Sequence, residues 1–171
     1  MPYFALFDDA VSGRAKLYQN HVESHRFYHN ELDSLTSILQ AGWKKGLHVV
    51  LFADYEFGLP LMDIPSGRSG SLRLHWFADY SEIDAENWLA NHSDGLEAGI
   101  STPRFSVSEA DYLEHIHQIH EAIRRGDTYQ INYTARLYLQ TYGNPIQLYR
   151  RLRQPVPYAV LSCLPDGAGQ D

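Results

Sequence analysis

The histidines are the residues whose type and spacing first suggest chemistry. His21, His25 and His29 lie four residues apart, a spacing that would align their imidazoles as metal ligands on a helix. The stretch reads better as a strand, where the same spacing keeps all three on one face but stretches them apart. His117 and His120 share one side of a predicted helix, yet structural metal sites usually also recruit cysteine or acidic ligands. We therefore favour ordinary polar histidines and predict no metal site.

Several other patterns also have an ordinary explanation. Arg125, Gly126 and Asp127 spell a cell-adhesion tripeptide, but they fall at the end of a predicted helix, where the match is chance. The segment SGRSGS lacks the Lys-Ser/Thr ending of a phosphate-binding loop and does not open a helix. Cys163 lies in an apolar run with no evident base, so a core thiol is favoured over a nucleophile. Glu56 ends a buried strand, where a solvated carboxylate is favoured over a ligand-facing one.

The bulk composition excludes several classes of function. The net charge is −7 over 171 residues, which disfavours binding to a phosphate backbone, so we expect no nucleic acid partner. The start of the chain has no positively charged segment, and no apolar run reaches the length that spans a membrane. Cys163 is the single cysteine, which rules out an internal disulfide framework. A cytoplasmic protein is expected, without a membrane partner.

The elements that must position any site follow from the hydrophobic pattern. Apolar runs predict strands over residues 3–7, 47–55, 71–80 and 158–164. Helical spacing predicts helices through Leu32–Leu39, over about 82–90, and after an Asn144 cap with Pro145 at the first position. The polar, glycine-bearing stretch 91–105 is the best linker. We therefore expect two subdomains, 1–100 and 101–171.

The clearest unit is a helix, a glycine and a strand. Ser106 or Ser108 can cap the helix, and Gly126 stands where a left-handed residue ends it. A strand is predicted over 127–139, with alternating apolar residues from Tyr129 to Leu139 seated in the core. Its other face carries four polar side chains. These are Gln130, Asn132, Thr134 and Arg136.

This unit resembles the signature that opens the chorismate-binding domain, the superfamily of aminodeoxychorismate synthase component I, anthranilate synthase component I and isochorismate synthase. The likeness is carried by Gly126-Asp127, then Tyr129-Gln130, then Asn132. A Pro-x-Pro-Tyr corner at 155–158 and the segment GLHVVLFADYEFGLPL resemble the same superfamily. Asn132 after Tyr129-Gln130 is similar to the aminodeoxychorismate synthases, whereas anthranilate synthases tend to carry Phe-Gln and then Val-Pro-Ser.

The resemblance also implies a regulatory pocket. Anthranilate synthases have a Leu-Leu-Glu-Ser element near the start, which forms the tryptophan pocket together with the Pro-x-Pro-Tyr corner. Here Asp8 and Asp9 replace Glu-Ser, while Pro155, Pro157 and Tyr158 are retained. We expect a pocket-like site at these positions, and the replacement of Glu-Ser puts its affinity for tryptophan in question.

The resemblance implies a reaction in which ammonia, delivered by a glutamine amidotransferase subunit, replaces the 4-hydroxyl of chorismate with assistance from Mg²⁺. The product is 4-amino-4-deoxychorismate, on the route to para-aminobenzoate and folate. The alternatives are a non-catalytic module that binds an aromatic amino acid or the amidotransferase, and a part of an anthranilate synthase.

The family's catalytic lysine, substrate-binding motifs and Mg²⁺-binding glutamates lie C-terminal to the matched region. We therefore expect the N-terminal portion of a synthase, inactive alone, with no catalytic residue and no metal ligand in this chain. The expected fold class is α+β, with mixed or antiparallel sheets packed against helices in a partial anthranilate-synthase-component-I-like fold. Uncovered strand edges then predict self-association of the chain.

Overall fold

The computed structural model describes residues 2–65, 67 and 69–165. They group into two units, one of residues 2–92 with 149–165 and the other of residues 93–148. The nine strands are β1 (Phe4–Asp9), β2 (Arg14–Phe27), β3 (His48–Ala53), β4 (Leu72–Asp84), β5 (Gly99–Ile100), β6 (Arg104–Phe105), β7 (Leu137–Tyr138), β8 (Thr141–Tyr142) and β9 (Ala159–Cys163). The α-helices are α1 (Leu35–Lys44), α2 (Ala85–His92), α3 (Glu109–Arg125) and α4 (Pro145–Leu152). Three short 3₁₀ turns cover Leu32–Ser34, Tyr55–Gly58 and Pro60–Met62.

A five-stranded antiparallel sheet is the centre of the first unit, in the order β3-β4-β2-β1-β9. The four strands predicted from apolar runs are all present in it, and β2 contains His21 and His25, whose spacing was interpreted as that of a strand. Strand β2 joins β1 through a tight turn at Asp9 to Gly13 and runs along nearly the whole of β4. The pairing of β1 with β9 places residues 4–8 beside residues 159–163, and Asp8 faces Ala159 across the ladder.

Helix α1 covers one part of this sheet. Phe27, Leu74 and Trp76 form a buried cluster, against which the α1 residues Leu35, Ile38 and Leu39 pack. Gly42 of α1 lies directly on the Trp76 indole, and a side chain at this position would overlap the ring. A second buried cluster contains Ala5, Val50 and Phe77, and Phe77 neighbours Trp76 in sequence. Because adjacent strand residues point to opposite faces, the sheet has apolar residues on both sides.

Helix α2 follows β4 without a loop. The Asp84 carboxylate accepts a hydrogen bond from the backbone N–H of Asn87 at 2.7 Å, which satisfies one free donor of the first helical turn. Trp88 packs on Phe4 of β1 with ring centroids 5.0 Å apart, and Leu89 is fully buried. The helix predicted for about 82–90 is thus present, displaced by a few residues toward the C-terminus.

The second unit contains α3 and two short strand pairs, β5 with β8 and β6 with β7. Of the two serines predicted as caps of α3, Ser108 is the one that caps it, because its hydroxyl oxygen accepts from the backbone N–H of Asp111 at 3.1 Å. Gly126 ends the helix with φ of +79°, in the left-handed conformation predicted for it. The Asn144 cap is also present, with Oδ1 accepting from the N–H of Ile146 at 2.8 Å.

The strand predicted over 127–139 is wrong for most of its length. Only Leu137–Tyr138 are in a strand, and the alternating apolar residues are not seated in a core, since Tyr129 is 90% and Ile131 45% exposed. A strand needs a neighbour to accept its backbone hydrogen bonds, and in the described part of the chain residues 128–135 are in no strand pairing. Apolar and polar residues do alternate along this stretch, but the hydrogen-bonded strand pairing that would place them on two faces of a sheet is not formed over most of it.

The predicted α+β class is confirmed, with an antiparallel curled sheet and several helices. The division at residue 100 stays a prediction. The predicted polar end of the chain lies, from residue 166 on, outside the described residues. Among the helices described, none combines the length and the apolar character that crossing a membrane demands.

Candidate functional site

Four of the five residues expected to form a regulatory pocket lie around one cavity of the first unit. Asp8 and Asp9 end β1, while Pro157 and Tyr158 precede β9, and the β1–β9 ladder places these two pairs side by side. Pro155 is not among the cavity's lining residues. Its neighbour Val156 accepts a backbone hydrogen bond from Ala10 at 3.0 Å, which ties the corner to the end of β1.

The cavity is an open pocket of about 700 Å³ with an aromatic and aliphatic floor. Phe7 and Tyr18 form part of that floor, with ring centroids 5.7 Å apart. Burial raises the pKa of the Tyr18 hydroxyl, which therefore stays a neutral hydrogen-bonding group at physiological pH. Tyr158 projects beside it and is 91% exposed, leaving its ring free to cover a ligand. The lining is completed by Ser12, Arg14, Ala15, Lys16, Glu82, Ala159 and Val160.

The Asp8 carboxylate is buried and fully engaged within the protein. Arg153 donates from Nε at 2.6 Å and from Nη2 at 2.9 Å, and the Tyr149 hydroxyl donates at 2.9 Å. The hydrogen bond to Asp8 raises the pKa of Arg153, and burial together with the same carboxylate raises the pKa of Tyr149. Asp8 therefore joins β1 to the α4 region and has no free oxygen to bind a ligand.

Asp9 is likewise committed to the β1–β2 turn. Its Oδ1 accepts from the backbone N–H of Val11 at 3.0 Å and of Ser12 at 3.2 Å, and its Oδ2 accepts from the Ser12 hydroxyl at 2.7 Å. The side-chain hydrogen bond from Ser12, followed by the backbone ones, lowers the pKa of this carboxyl. Asp9 thus shapes the pocket through the turn that it stabilises.

The charges left to meet a ligand are those of Arg14, Lys16 and Glu82. Two cations and one carboxylate at the rim of an aromatic floor suit a zwitterionic or anionic aromatic compound. The lining contains neither histidine nor cysteine, and its serine hydroxyl donates to Asp9. The lining therefore offers aromatic rings and three charged side chains to a ligand.

The second group of predicted residues, from Gly126 to Asn132, lies in the other unit. Asp127 accepts two hydrogen bonds from the Arg125 guanidinium, at 3.0 and 2.7 Å. The two charged residues of the adhesion-like tripeptide therefore form an ion pair with each other. Tyr129, Gln130 and Asn132 occupy the exposed, irregular stretch described above.

The carboxylates do not fit the Mg²⁺ that the resemblance implies. Asp8 is neutralised by Arg153, and Asp9 is occupied by turn donors. Within residues 2–65, 67 and 69–165, no cluster of three or more histidine, cysteine or acidic side chains could hold a metal ion. His21, His25 and His29 follow the extended course of β2 and its end, where His21 bonds to Ser24 and His25 lies 3.7 Å from Glu23.

Sequence reasoning missed the residues that tie the site together. Tyr149 and Arg153 are separated from Asp8 by more than 140 residues, and nothing local marks them as its partners. Lys16 could have been found, because the tight turn after Asp9 predicts a hairpin that places it opposite Phe7.

Residues 75–169 match the family model of the chorismate binding enzymes. The matched stretch is more than half of the 171 residues. It begins in β4 and includes α3, the Gly126–Asn132 motif, α4 and β9. Comparisons with curated proteins and with solved structures gave no match.

Proposed function

The chain belongs to the chorismate-binding enzyme family, and on this premise we propose that it is part of a synthase that forms 4-amino-4-deoxychorismate. In this reaction ammonia replaces the 4-hydroxyl of chorismate and water is released. The observation that carries the proposal is the Tyr129-Gln130, Asn132 pattern within the matched residues, which resembles the 4-aminating branch. The opening FALFDD, in place of Leu-Leu-Glu-Ser, supports the same branch.

We assign this chain a supporting role in the reaction. The Asp8 and Asp9 carboxylates at its pocket are paired internally, which leaves Arg14, Lys16 and Glu82 to hold a ligand. We further propose a glutamine amidotransferase as the source of ammonia, Mg²⁺ as the assisting ion and the cytoplasm as the location, on the resemblance and the single cysteine.

Complementation tests the branch. The complete gene is expected to restore growth of a para-aminobenzoate auxotroph and not of a tryptophan auxotroph. Restoration of the tryptophan auxotroph alone would assign the chain to 2-amination instead.

The purified 171-residue chain, given chorismate, Mg²⁺ and ammonium, is expected to release no aminated product. Turnover by this chain would overturn the supporting role.

The pocket favours a second candidate, a module that binds an aromatic amino acid. Phe7, Tyr18 and Tyr158 offer ring contacts, while Lys16 and Glu82 carry charges opposite to those of an α-carboxylate and an α-ammonium. Calorimetric titration with tryptophan, phenylalanine and tyrosine tests this binding.

Lys16→Met is expected to weaken any such binding by about 10- to 150-fold, since one charge-assisted contact is worth roughly 1.5–3 kcal/mol. The control Lys44→Met changes a lysine of α1 that does not line the pocket. Equal affinity in both variants, or no binding by the unmodified chain, would remove this candidate.

A further inference from the structure

A chain of two hydrogen bonds joins β2 to β4 outside the pocket. His21 Nε2 lies 2.7 Å from the Ser24 hydroxyl oxygen, and His75 Nδ1 lies 2.8 Å from the same atom. His21 and Ser24 belong to β2, whereas His75 belongs to β4. One hydroxyl therefore connects two imidazoles on neighbouring strands.

Packing fixes the two rings in place. His75 is 1% exposed, and its ring contacts Phe52 at 6.1 Å and His21 at 5.8 Å between centroids. His21 is half-buried and meets Tyr3 and Phe77 edge-on, at 5.4 and 5.6 Å. Solvent therefore reaches the hydrogen-bonded group from the His21 side, whereas its other end, at His75, is enclosed.

The hydrogen-bonded chain lies at the irregular point of β2. The register between β2 and β4 shifts between His21 and Glu23, and Asn20 has a φ of +55°, a left-handed conformation that costs free energy in a residue with a side chain. The backbone ladder is interrupted at a bulge, so side-chain bonds across it contribute more to holding the strands together there.

Few hydrogens are available to the two hydrogen bonds that Ser24 makes. Ser24 has one hydroxyl hydrogen, so it donates to one imidazole nitrogen and accepts N–H from the other. We assign the arrangement in which His21 Nε2–H donates to Ser24 and the Ser24 hydroxyl donates to Nδ1 of His75. A proton added to the outer nitrogen of His21 leaves both bonds intact. A second proton, on Nδ1 of His75, turns both nitrogens into donors and leaves the Ser24 hydrogen without its acceptor.

We propose that His21, Ser24 and His75 form a pH-sensitive latch that holds the bulge of β2 against β4 and opens on acidification. The charges around it act in the same direction. Arg73 on β4 disfavours a cation at His75, although it is itself paired with Asp54 at 3.2 Å. Of the other titratable groups on β2 and β3, Arg26 and His48 share the sheet face of His75. Glu23 and His25 pair with Trp76 and Leu74 and lie on the opposite face.

Burial lowers the pKa of His75 to about 4, with smaller contributions from His21 and Arg73, and burial also lowers the pKa of His21. The pKa of His75 is lower in the folded protein than its value of 6.5 in the unfolded one. At a pH between these two pKa values, His75 is protonated in the unfolded protein and neutral in the folded protein. The stability that depends on neutral His75 is complete above about pH 6.5 and is lost as the pH falls toward 4.

The test combines unfolding with a local readout. From about pH 7.5 to about pH 5, His75 alone is expected to lower the folding equilibrium constant about 30-fold, as measured by urea unfolding. His75→Phe is expected to remove that part of the decrease. The control His29→Gln changes a histidine that follows β2 and leaves the latch intact.

The wild-type chain supplies a second measurement if His75→Phe does not fold. In NMR spectra, the amide signals of residues 20–23 and 76–77 are expected to shift with the same midpoint as the His75 ring, and Ser24→Ala is expected to separate them. A His75 ring that titrates near its unperturbed value would overturn the proposal. The proposal would also be overturned if the amide signals of the bulge did not shift when His75 is protonated, or if the stability of the His75→Phe variant depended on pH as that of the wild type does.

Discussion

Removing the negative charge of Asp8 tests whether the ion pair under the pocket stabilises the fold. Asp8→Asn keeps the size of the side chain and an acceptor for Tyr149, but it leaves the Arg153 guanidinium without its main partner. The Asp8 side chain is 0% and that of Arg153 17% exposed, so solvent replaces little of what is lost.

The expected cost follows from this burial. Breaking a buried ion pair by removing one partner costs about 3–5 kcal/mol, because the remaining charge is uncompensated. Glu86 lies 3.7 Å from Arg153 Nη1 and offsets part of this loss, but it is 51% exposed. We therefore expect the lower end, about 3 kcal/mol of unfolding free energy.

Urea unfolding followed by tryptophan fluorescence measures this change, since Trp76 is fully buried in the same unit. The double variant Asp8→Asn with Arg153→Met removes the stranded charge as well, and it is expected to cost at least about 1 kcal/mol less than the two single changes together. Glu121→Gln, which removes a surface partner of Arg124, is a control expected to cost about 0.5 kcal/mol or less. An Asp8→Asn cost below about 1 kcal/mol, or strict additivity in the double variant, would refute the reasoning.

Three further predictions concern packing, backbone and association. Gly42→Ala places a methyl group against the Trp76 indole and is expected to cost about 1–3 kcal/mol in thermal unfolding monitored by circular dichroism; an unchanged melting temperature would contradict this packing. Gly126→Ala is expected to cost about 1 kcal/mol because φ is +79° there, and an equal or higher stability would show that the helix end relaxes. The outer strand β9 has an unpaired edge in the described chain and Tyr158 is 91% exposed, so sedimentation is expected to show self-association that rises with concentration; a monomer with a sharp, concentration-independent transition would exclude it.

The sequence alone was sufficient where structure depends on neighbours within a few residues. Helix α3 is predicted from a cap at Ser106 or Ser108 to Gly126, because capping and left-handed termination involve contacts three or four residues apart. The core strands β3 and β4 follow from runs of apolar residues, which have few alternatives to burial. The family motif, too, is a local pattern.

Only the tertiary structure decided what depends on distant partners. Residues 128–135 have the alternation of a strand but no ladder, since a strand is stabilised by another segment and not by its own sequence. Asp8 and Asp9 were predicted to line a pocket, yet their carboxylates are bound by Arg153 and by the β1–β2 turn. The pattern of residue types could place the two carboxylates near a site. It could not show that Asp8 is paired with Arg153, 145 residues away, and is therefore not free to bind a ligand.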